Sequence, residues 1–335
     1  MQPRIVLGGV LLAAIAGGAF LLSRYKIEGL SQLHLDRRSS NEQTADSEVA
    51  AQTAHALPPM ARDGDTIKIA TFQLQGLTAK RLDNRQVLDV LARVFRRFDI
   101  VAVQAIRTRK RTTIPRLVEQ INAQGRHYDF VLSPRPGFEN PQEQYAYVFD
   151  AASVEVDRSS VYTVDDPDHL LRHDPLVAPF RVRGPAAEDA FTFTLVNMHV
   201  DPHASKAEIN CLDDVLLAVR RDGRGEDDVI LLGNLNADVE HLGELGLMPQ
   251  ITWANADSPT VTRGTEMPDN LLFFRTATIE FTGNSGVLDL MRRFDLTVQQ
   301  ALRVSDHLPV WAEFGIYEGE PFGKIATGPT GALPR

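Results

Sequence analysis

Residues 229–238 read Val-Ile-Leu-Leu-Gly-Asn-Leu-Asn-Ala-Asp: four large apolar residues run into a glycine and a polar cluster. A short apolar run of this kind is typical of a buried strand, and the glycine and asparagines indicate a turn at its end. The same form recurs where polar residues follow or precede strand-like runs, at Gln73, Gln104-Ala105, His199 and Ser305-Asp306-His307. Rigid strands often hold reactive side chains at their ends, so we expect one functional site where these ends meet.

The segments between these clusters alternate between strand-like and helix-like patterns. Strand-like runs span 66–72, 100–103, 145–149, 191–198, 229–232, 271–274 and 309–314. Apolar residues at helical spacing span 85–98 and 205–220, and each of these segments has one apolar face. Single strands mixed with helices predict an α/β fold in which the site lies at the strand ends.

The first 65 residues do not share these patterns. Residues 5–22 are mostly apolar and carry no charge, and they are long enough for a helix that crosses a bilayer. We therefore predict one transmembrane helix as a membrane anchor over 1–26, with a cleaved signal peptide and a buried soluble helix as the alternatives. Basic residues flank the run on both sides and leave its orientation open; we expect the globular domain on the extracytoplasmic side.

Composition predicts the rest of the domain organisation. Residues 27–65 are rich in Ser, Gln, Ala, Asp and Glu and are typical of a flexible linker. One continuous domain is expected over 66–316. The Gly- and Pro-rich segment 317–335 predicts a disordered tail.

Charge and cysteine content limit the partners of the chain. The formal net charge of −9 argues against tight DNA binding through phosphate neutralisation alone. A cation-dependent enzyme is still compatible, because a bound metal ion supplies positive charge locally. The single cysteine, Cys211, has no partner for an internal disulfide, and its place on an apolar face predicts a core position. We expect a monomer.

Three stretches carry a resemblance to a known family: Ser305-Asp306-His307, residues 233–238, and the segment from His199 to Asn210. With two further motifs in the same order, they are similar to the endonuclease/exonuclease/phosphatase superfamily, and most similar to deoxyribonuclease I, over nearly all of 66–316. The resemblance implies a two-sheet β-sandwich flanked by helices, in four layers. It also implies hydrolysis of a phosphodiester or phosphomonoester, in nucleic acid or another substrate, with Mg²⁺ or Mn²⁺ as the cofactor.

The resemblance assigns roles to residues at the matching positions of this sequence. His199 is expected to act as an acid with Glu143 as its partner, and Asp306 to orient the imidazole of His307. Asn236 matches a residue that orients the phosphate, and Asp269 is the remaining carboxylate for a metal ion. The residues expected on the substrate side are Arg107, Gln73, Asn270 and His173.

The sequence departs from the family pattern at positions where the chemistry is demanding. The family holds its metal ion chiefly with a glutamate that follows a glutamine, and here Ala105 follows Gln104. The family's Gly-Asp-x-Asn, whose aspartate helps to activate water, has Asn234 at the aspartate position, and an amide is no base at neutral pH. Gln73 stands where the family has an asparagine.

Three functions remain open on these grounds. The first is a membrane-tethered relative in which hydrolysis is impaired, as the replacements at 73, 105 and 234 suggest. The second is an active Mg²⁺- or Mn²⁺-dependent nuclease or phosphodiesterase with a rearranged metal site, consistent with the retained His199 and His307. The third is a non-catalytic envelope scaffold or binding module, consistent with the anchor and the acidic charge.

Overall fold

The computed structural model describes residues 64–108, 110–134 and 143–319. The predicted anchor over 1–26, nearly all of the predicted linker and all but the first residues of the predicted tail lie outside them. Within the described residues, no helix combines the length and the apolar character needed to span a bilayer.

The described chain alternates strands and short helices. The strands are β1 (Thr66–Leu77), β2 (Ile100–Ile106), β3 (Tyr128–Leu132), β4 (Gln144–Asp150), β5 (Val154–Val156), β6 (Tyr162–Thr163), β7 (Leu176–Val182), β8 (Thr192–His199), β9 (Val229–Asn234), β10 (Ile251–Trp253), β11 (Asp269–Phe274), β12 (Phe281–Val287) and β13 (Val310–Gly315). The helices are α1 (Ala79–Leu82), α2 (Arg85–Phe95), α3 (Thr113–Asn122), α4 (Ser205–Ile209), α5 (Leu212–Arg220), α6 (Gly243–Leu247), α7 (Leu290–Phe294) and α8 (Val298–Val304).

The strands form two mixed sheets. One has the order β12-β13-β1-β2-β4-β3, and the other has the order β10-β11-β9-β8-β7-β5, with β6 paired to β7. Most neighbours are antiparallel, but β1 with β2 and β8 with β9 are parallel pairs. Each sheet therefore contains one pair of strands whose carboxyl ends lie at the same edge.

Three apolar layers hold the sheets and helices together. The facing sides of the sheets enclose one layer, which is rich in aromatic rings such as Phe193, Phe273 and Phe314. The outer face of the first sheet packs against α2, α3 and α8, and the outer face of the second packs against α4, α5 and α6. The described chain is thus a four-layer helix–sheet–sheet–helix sandwich, the architecture that the resemblance implied.

Helix α2 shows how the sequence pattern produces one of these layers. Its apolar residues Val87, Val90, Leu91 and Val94 recur at helical spacing, and all four are buried against the sheet. Before the first turn, the side chain of Asn84 accepts hydrogen bonds from the backbone N–H groups of Gln86 and Val87. This cap satisfies donors that would otherwise lack a partner, so the helix starts where the pattern predicts.

The segment 205–220 differs from the single helix that its pattern predicts. It forms α4 and α5, separated by Asn210 and Cys211. The apolar face nevertheless continues across the break, because Ile209 and Leu212 are both buried in the same layer. Cys211 lies at the break and is half-buried rather than fully in the core, so that prediction is wrong.

Candidate active site

Strands from both sheets bring the predicted site residues to one edge of the sandwich. Parallel pairing places Gln73 of β1 beside Gln104 of β2, and His199 of β8 beside Asn234 of β9. Strand β11 runs antiparallel to β9 and begins at Asp269, opposite Asn234. The polar clusters that follow separate strands in the sequence therefore lie next to one another.

A buried ion pair forms the first part of the site. Nδ1 of His199 lies 2.7 Å from Oε2 of Glu143, and Nε of Arg107 donates to the other carboxylate oxygen at 2.7 Å. Burial alone would raise the pKa of Glu143, but the hydrogen bond and charge of His199, with the charge of Arg107, lower that pKa to about 2. Glu143 is therefore a carboxylate at neutral pH and holds the imidazole in place.

The other ring nitrogen of His199 also has a partner. Nε2 of His199 lies 3.1 Å from the amide nitrogen of Gln73, which can only donate. In this assignment Nε2 accepts and Nδ1 carries the proton directed at Glu143. The backbone N–H of His199 donates to the hydroxyl of Tyr145 at 2.9 Å, a contact that the sequence patterns did not indicate.

His307 forms the second part of the site, with a partner that differs from the predicted one. Its Nδ1 lies 2.7 Å from Oδ2 of Asp269, and the hydroxyl of Thr260 donates to the same oxygen at 2.7 Å. The prediction that Asp306 orients this imidazole is therefore wrong, because Asp269, 38 positions earlier in the chain, makes the contact. The local sequence pattern does not indicate that Asp269 contacts His307, or that Thr260 contacts Asp269.

Charge around His307 favours its protonated form. Burial lowers the pKa of His307, but the charge and hydrogen bond of Asp269, with the charge of Asp306, outweigh burial and raise it above the usual value. Oδ1 of Asp306 is buried and has no hydrogen-bond partner among the described residues. Asp306 thus acts on His307 through its charge rather than through a direct contact.

Two asparagines shape the turn after β9. Oδ1 of Asn234 accepts the backbone N–H of Asn236 at 2.9 Å, and the side chain of Asn236 donates to the carbonyl of Val200. Gly233 precedes them with φ 153°, and a Cβ there would lie 1.8 Å from the carbonyl oxygen of Met198. Asn234 is 1% exposed. Its amide therefore stabilises the turn at the position where the resemblance expects an aspartate.

Two residues predicted on the substrate side have other surroundings. Asn270 is buried, and its amide nitrogen donates to the carbonyl of Asn255 while its oxygen accepts the Asn255 N–H, so both polar atoms of its side chain are engaged within the protein. His173 stacks on His199 with ring centroids 6.1 Å apart. Its Nδ1 is buried without a partner among the described residues, and burial lowers the pKa of the ring.

A buried amide network supports the site from between the sheets. The amide nitrogen of Gln104 donates to Oδ1 of Asn197 at 2.7 Å and to the hydroxyl of Thr71 at 3.0 Å. Asn197 donates in turn to the carbonyls of Val103 and Ala146. Polar groups that are buried and fully paired define one arrangement of the strands, and these lie directly before the strand ends that carry His199 and Ala105.

The site residues do not fit the metal site that the resemblance implies. Ala105, at the glutamate position, is 2% exposed and offers no ligand atom. Among the described residues at this edge, a group of three metal-ligating side chains consists of Glu143, His173 and His199, whose ligand atoms lie within 4.8 Å of one another. Two imidazoles and one carboxylate suit a softer ion than Mg²⁺, which prefers oxygen ligands. Acidic and histidine residues can thus form a metal site at this edge.

Comparisons with known proteins agree with this fold. No family model matches the sequence. The chain is 31% identical over 281 residues to Deoxyribonuclease-1-like 1 of Bos taurus, covering 77% of this chain and 85% of the relative. It is 27% identical over 274 residues to Deoxyribonuclease gamma of Rattus norvegicus, covering 77% and 86%. An endonuclease/exonuclease/phosphatase structure from Bacteroides vulgatus matches with a TM-score of 0.53 at 13% identity, covering 76% of this chain and 100% of that one.

Proposed function

We propose, because this chain belongs to the deoxyribonuclease I-like family, that its domain recognises phosphodiesters of nucleic acid while its hydrolysis is impaired. The relatives' names identify DNA as the substrate class. The proposal of impaired hydrolysis rests on Ala105 at the end of β2, which is buried and has φ 60°. A methyl group packed in this position leaves a metal ion without its principal carboxylate.

Asn234, at the position of the family's aspartate, is also expected to impair hydrolysis. Asn234 is uncharged, buried, and already bonded to the backbone of Asn236. An amide cannot remove a proton from water at neutral pH, and loss of a general base alone commonly costs about 10²–10⁴ in rate. Losses within one catalytic unit do not simply multiply, so we expect activity several orders of magnitude below that of a complete site.

The retained residues support binding of a phosphodiester. Protonated His307, beside Asp269, can donate to a phosphate oxygen. His199 can do so once the Gln73 contact is released and its Nε2 has taken up a proton. Arg107 leaves 60% of its side chain exposed while it contacts Glu143, so its guanidinium can also face a phosphate. With a net charge of −9, this binding is expected to be weak and to fall steeply with salt.

A specific observation favours a second candidate function, an active enzyme with a rearranged metal site. Glu143, His173 and His199 lie close enough to share one ion, and Nδ1 of His173 lacks a partner among the described residues. In that case Mn²⁺ or Zn²⁺ would support turnover better than Mg²⁺. The third candidate, a scaffold without ligand, is supported only by the acidic charge and the apolar N-terminal segment.

One assay on the purified full-length chain distinguishes these functions. DNA and a simple phosphodiester are incubated with Mg²⁺, Mn²⁺ or Zn²⁺, using the native chain and the double variant Ala105→Glu plus Asn234→Asp. We expect little or no turnover from the native chain and a gain of about 10² or more from the double variant. Glu119→Gln, an exposed substitution on α3, is the control and should gain nothing.

Each other outcome of this assay overturns the proposal. Native turnover that disappears in His307→Ala indicates an active enzyme, and turnover with Zn²⁺ that also requires His173 indicates the rearranged site. If the native chain neither cleaves nor binds DNA at low salt, and the double variant cleaves neither substrate, the domain is a scaffold.

We also propose that residues 1–26 tether the domain to a membrane, with the domain on the extracytoplasmic side. The support is the uncharged apolar run over 5–22. We expect the full-length chain to remain with membranes after alkaline carbonate extraction, and a chain that begins at residue 27 to be released. Release of both, or a mature chain that lacks the segment, contradicts the tether.

A further inference from the structure

A pocket lined by arginines lies in the helical layer that covers the first sheet. It has a volume of about 300 Å³, and its walls come from the end of α2, the segment after α3, and α7. The lining residues are Arg93, Arg96, Arg97, Gln124, Arg293 and Phe294. Four of the six are cationic, in a chain whose formal net charge is −9. Positive charge is therefore concentrated in this arginine pocket against the overall balance of the protein.

The arginine pocket is separate from the candidate active site. Arg97 lies three residues before β2 begins at Ile100, whereas Gln104, at the site, lies near the other end of that strand. The strand spans about 13 Å between Ile100 and Gln104. A small anion bound among the arginines would therefore not contact His199 or His307.

Contacts with neighbouring groups hold two of the arginines in position. Nε of Arg96 donates to the carbonyl of Ile121 at 2.8 Å, and its Nη2 donates to the carbonyl of Gln120 at 2.6 Å. The guanidinium of Arg93 lies 4.8 Å from the centre of the Phe294 ring, within the range of a cation–π interaction. A guanidinium that is already held in place loses less freedom when a ligand binds, which favours affinity.

Among the described residues, a carboxylate contacts only one of the four arginines. Arg93 lies 3.8 Å from Asp89, in an exposed pair of the kind that contributes little to stability. Arg96, Arg97 and Arg293 have no ion-pair partner in this part of the chain. Burial and the charge of Arg293 lower the pKa of Arg97, which is consistent with like charges held close together. An anion placed between these arginines would relieve the repulsion.

We propose that the arginine pocket binds a phosphate-bearing anion, either a free phosphorylated molecule or the phosphate headgroup of a lipid. A guanidinium group matches phosphate well, because it can donate two parallel hydrogen bonds to the phosphate oxygens. Four such groups around one concave space favour an anion that carries more than one negative charge. Ligand pockets typically enclose roughly 300–1,000 Å³, so this pocket, at the small end, suits a compact group.

The shape of the pocket distinguishes this ligand from nucleic acid. A nucleic-acid backbone presents its phosphates in a row, and proteins follow it with basic groups spread along a groove. Here the arginines surround one recess, and the chain is acidic overall. The inference does not rest on the proposed phosphodiester binding at His307, so the two proposals can fail separately.

The test is calorimetric titration of the purified full-length chain with sodium pyrophosphate at low salt. We expect binding at the arginine pocket with an affinity that falls as added salt screens the charges. The double variant Arg97→Gln plus Arg293→Gln should lower this affinity by about 10-fold or more, because it removes two charge-assisted donors. The matched control, Arg116→Gln plus Arg158→Gln, removes two exposed charges on other surfaces and should leave the affinity unchanged.

Other results of this titration overturn the proposal. His307→Ala should keep the pyrophosphate affinity of the native chain, and loss of binding in this variant instead places the anion at the candidate active site. No pyrophosphate binding by the native chain, or equal binding by both double variants, also contradicts the pocket. If a short DNA duplex binds through Arg97 and Arg293 more tightly than pyrophosphate does, the ligand is nucleic acid and the assignment is wrong.

Lipid vesicles identify the source of the phosphate. The titration is repeated with the full-length chain in vesicles of phosphatidylcholine alone, and in vesicles that also contain about 20% phosphatidic acid. A lower pyrophosphate affinity in the second vesicles, shared by the control variant, supports a lipid headgroup as the occupant. Equal affinity in both supports a free phosphorylated molecule.

Discussion

The amide nitrogen of Gln73 lies 3.1 Å from Nε2 of His199, the ring nitrogen that would face a substrate. This contact joins β1 of one sheet to β8 of the other. A glutamine is one methylene longer than the asparagine that the resemblance expects, and this added reach lets the amide cover the imidazole. Any proton transfer by Nε2 must first displace it.

Shortening this side chain should expose the imidazole. In Gln73→Asn we expect Nε2 of His199 to be acylated several-fold faster by diethyl pyrocarbonate, because the amide no longer covers it. Mass spectrometry of the modified peptides measures the rate, and exposed His241, whose Nδ1 contacts Asp238, serves as an internal reference. An unchanged ratio of His199 to His241 modification contradicts the covering role of Gln73.

The pairing of His307 with Asp269 predicts a change in its titration. Asp269→Asn should lower the pKa of His307, and Asp306→Asn should lower it less, because Asp306 acts through charge alone. Since the folded-state pKa lies above the unfolded value of about 6.5, this group stabilises the native chain below that pH and loses its effect as pH rises through the folded value. NMR titration of the ring distinguishes the two variants. If both variants lower the pKa of His307 equally, Asp306 contributes to orienting the imidazole as much as Asp269 does.

Glu143 should contribute to stability in acid. Its pKa is lowered to about 2, so its stabilising effect is present above the unfolded value near 4.5 and is lost as pH falls through the folded value. Glu143→Gln keeps the hydrogen-bond acceptor for His199 but removes the charge. We expect the variant to lose less stability than the native chain between pH 5 and pH 2, on the order of a few kcal/mol, by urea unfolding. Glu119→Gln should follow the native curve.

Gly233 should tolerate no side chain. A Cβ at this position would lie 1.8 Å from the carbonyl oxygen of Met198, and neither strand can yield without breaking the β8–β9 pairing. We expect Gly233→Ala to destabilise the domain by more than about 4 kcal/mol or to prevent folding. Gly223→Ala also has positive φ but no atom within 4 Å, so it should cost only about 1–3 kcal/mol of backbone strain. Similar thermal midpoints for the two variants would show that the contact with the Met198 carbonyl does not determine the loss of stability.

Part of the fold was predictable because buried faces of helices and strands require apolar residues at a regular spacing in the sequence. The strands around 66–72, 229–232 and 309–314 and the helix after Asn84 lie where the patterns place them. Strand β12 was missed, since it is an edge strand that reads Phe-Thr-Gly-Asn-Ser-Gly-Val and is only partly buried. The break between α4 and α5 was missed because its apolar face stays continuous.

The site was predictable in its members but less so in its contacts. Motifs identified His199, His307 and Glu143, because each adjoins a strand end or a recognisable run. The partner of His307 could not be inferred, since Asp269 lies 38 positions away in the chain and only the fold brings the two side chains together.

The direction of β1 has a practical consequence. The domain's first strand begins at Thr66, paired with Gly315, and runs towards Gln73 at the site. Entry and exit of the described chain are therefore side by side, on the face away from His199. A solid support or fusion partner attached at residue 64 or residue 319 would therefore lie away from the edge that carries His199 and His307, so surface-immobilised protein is suited to the binding measurements.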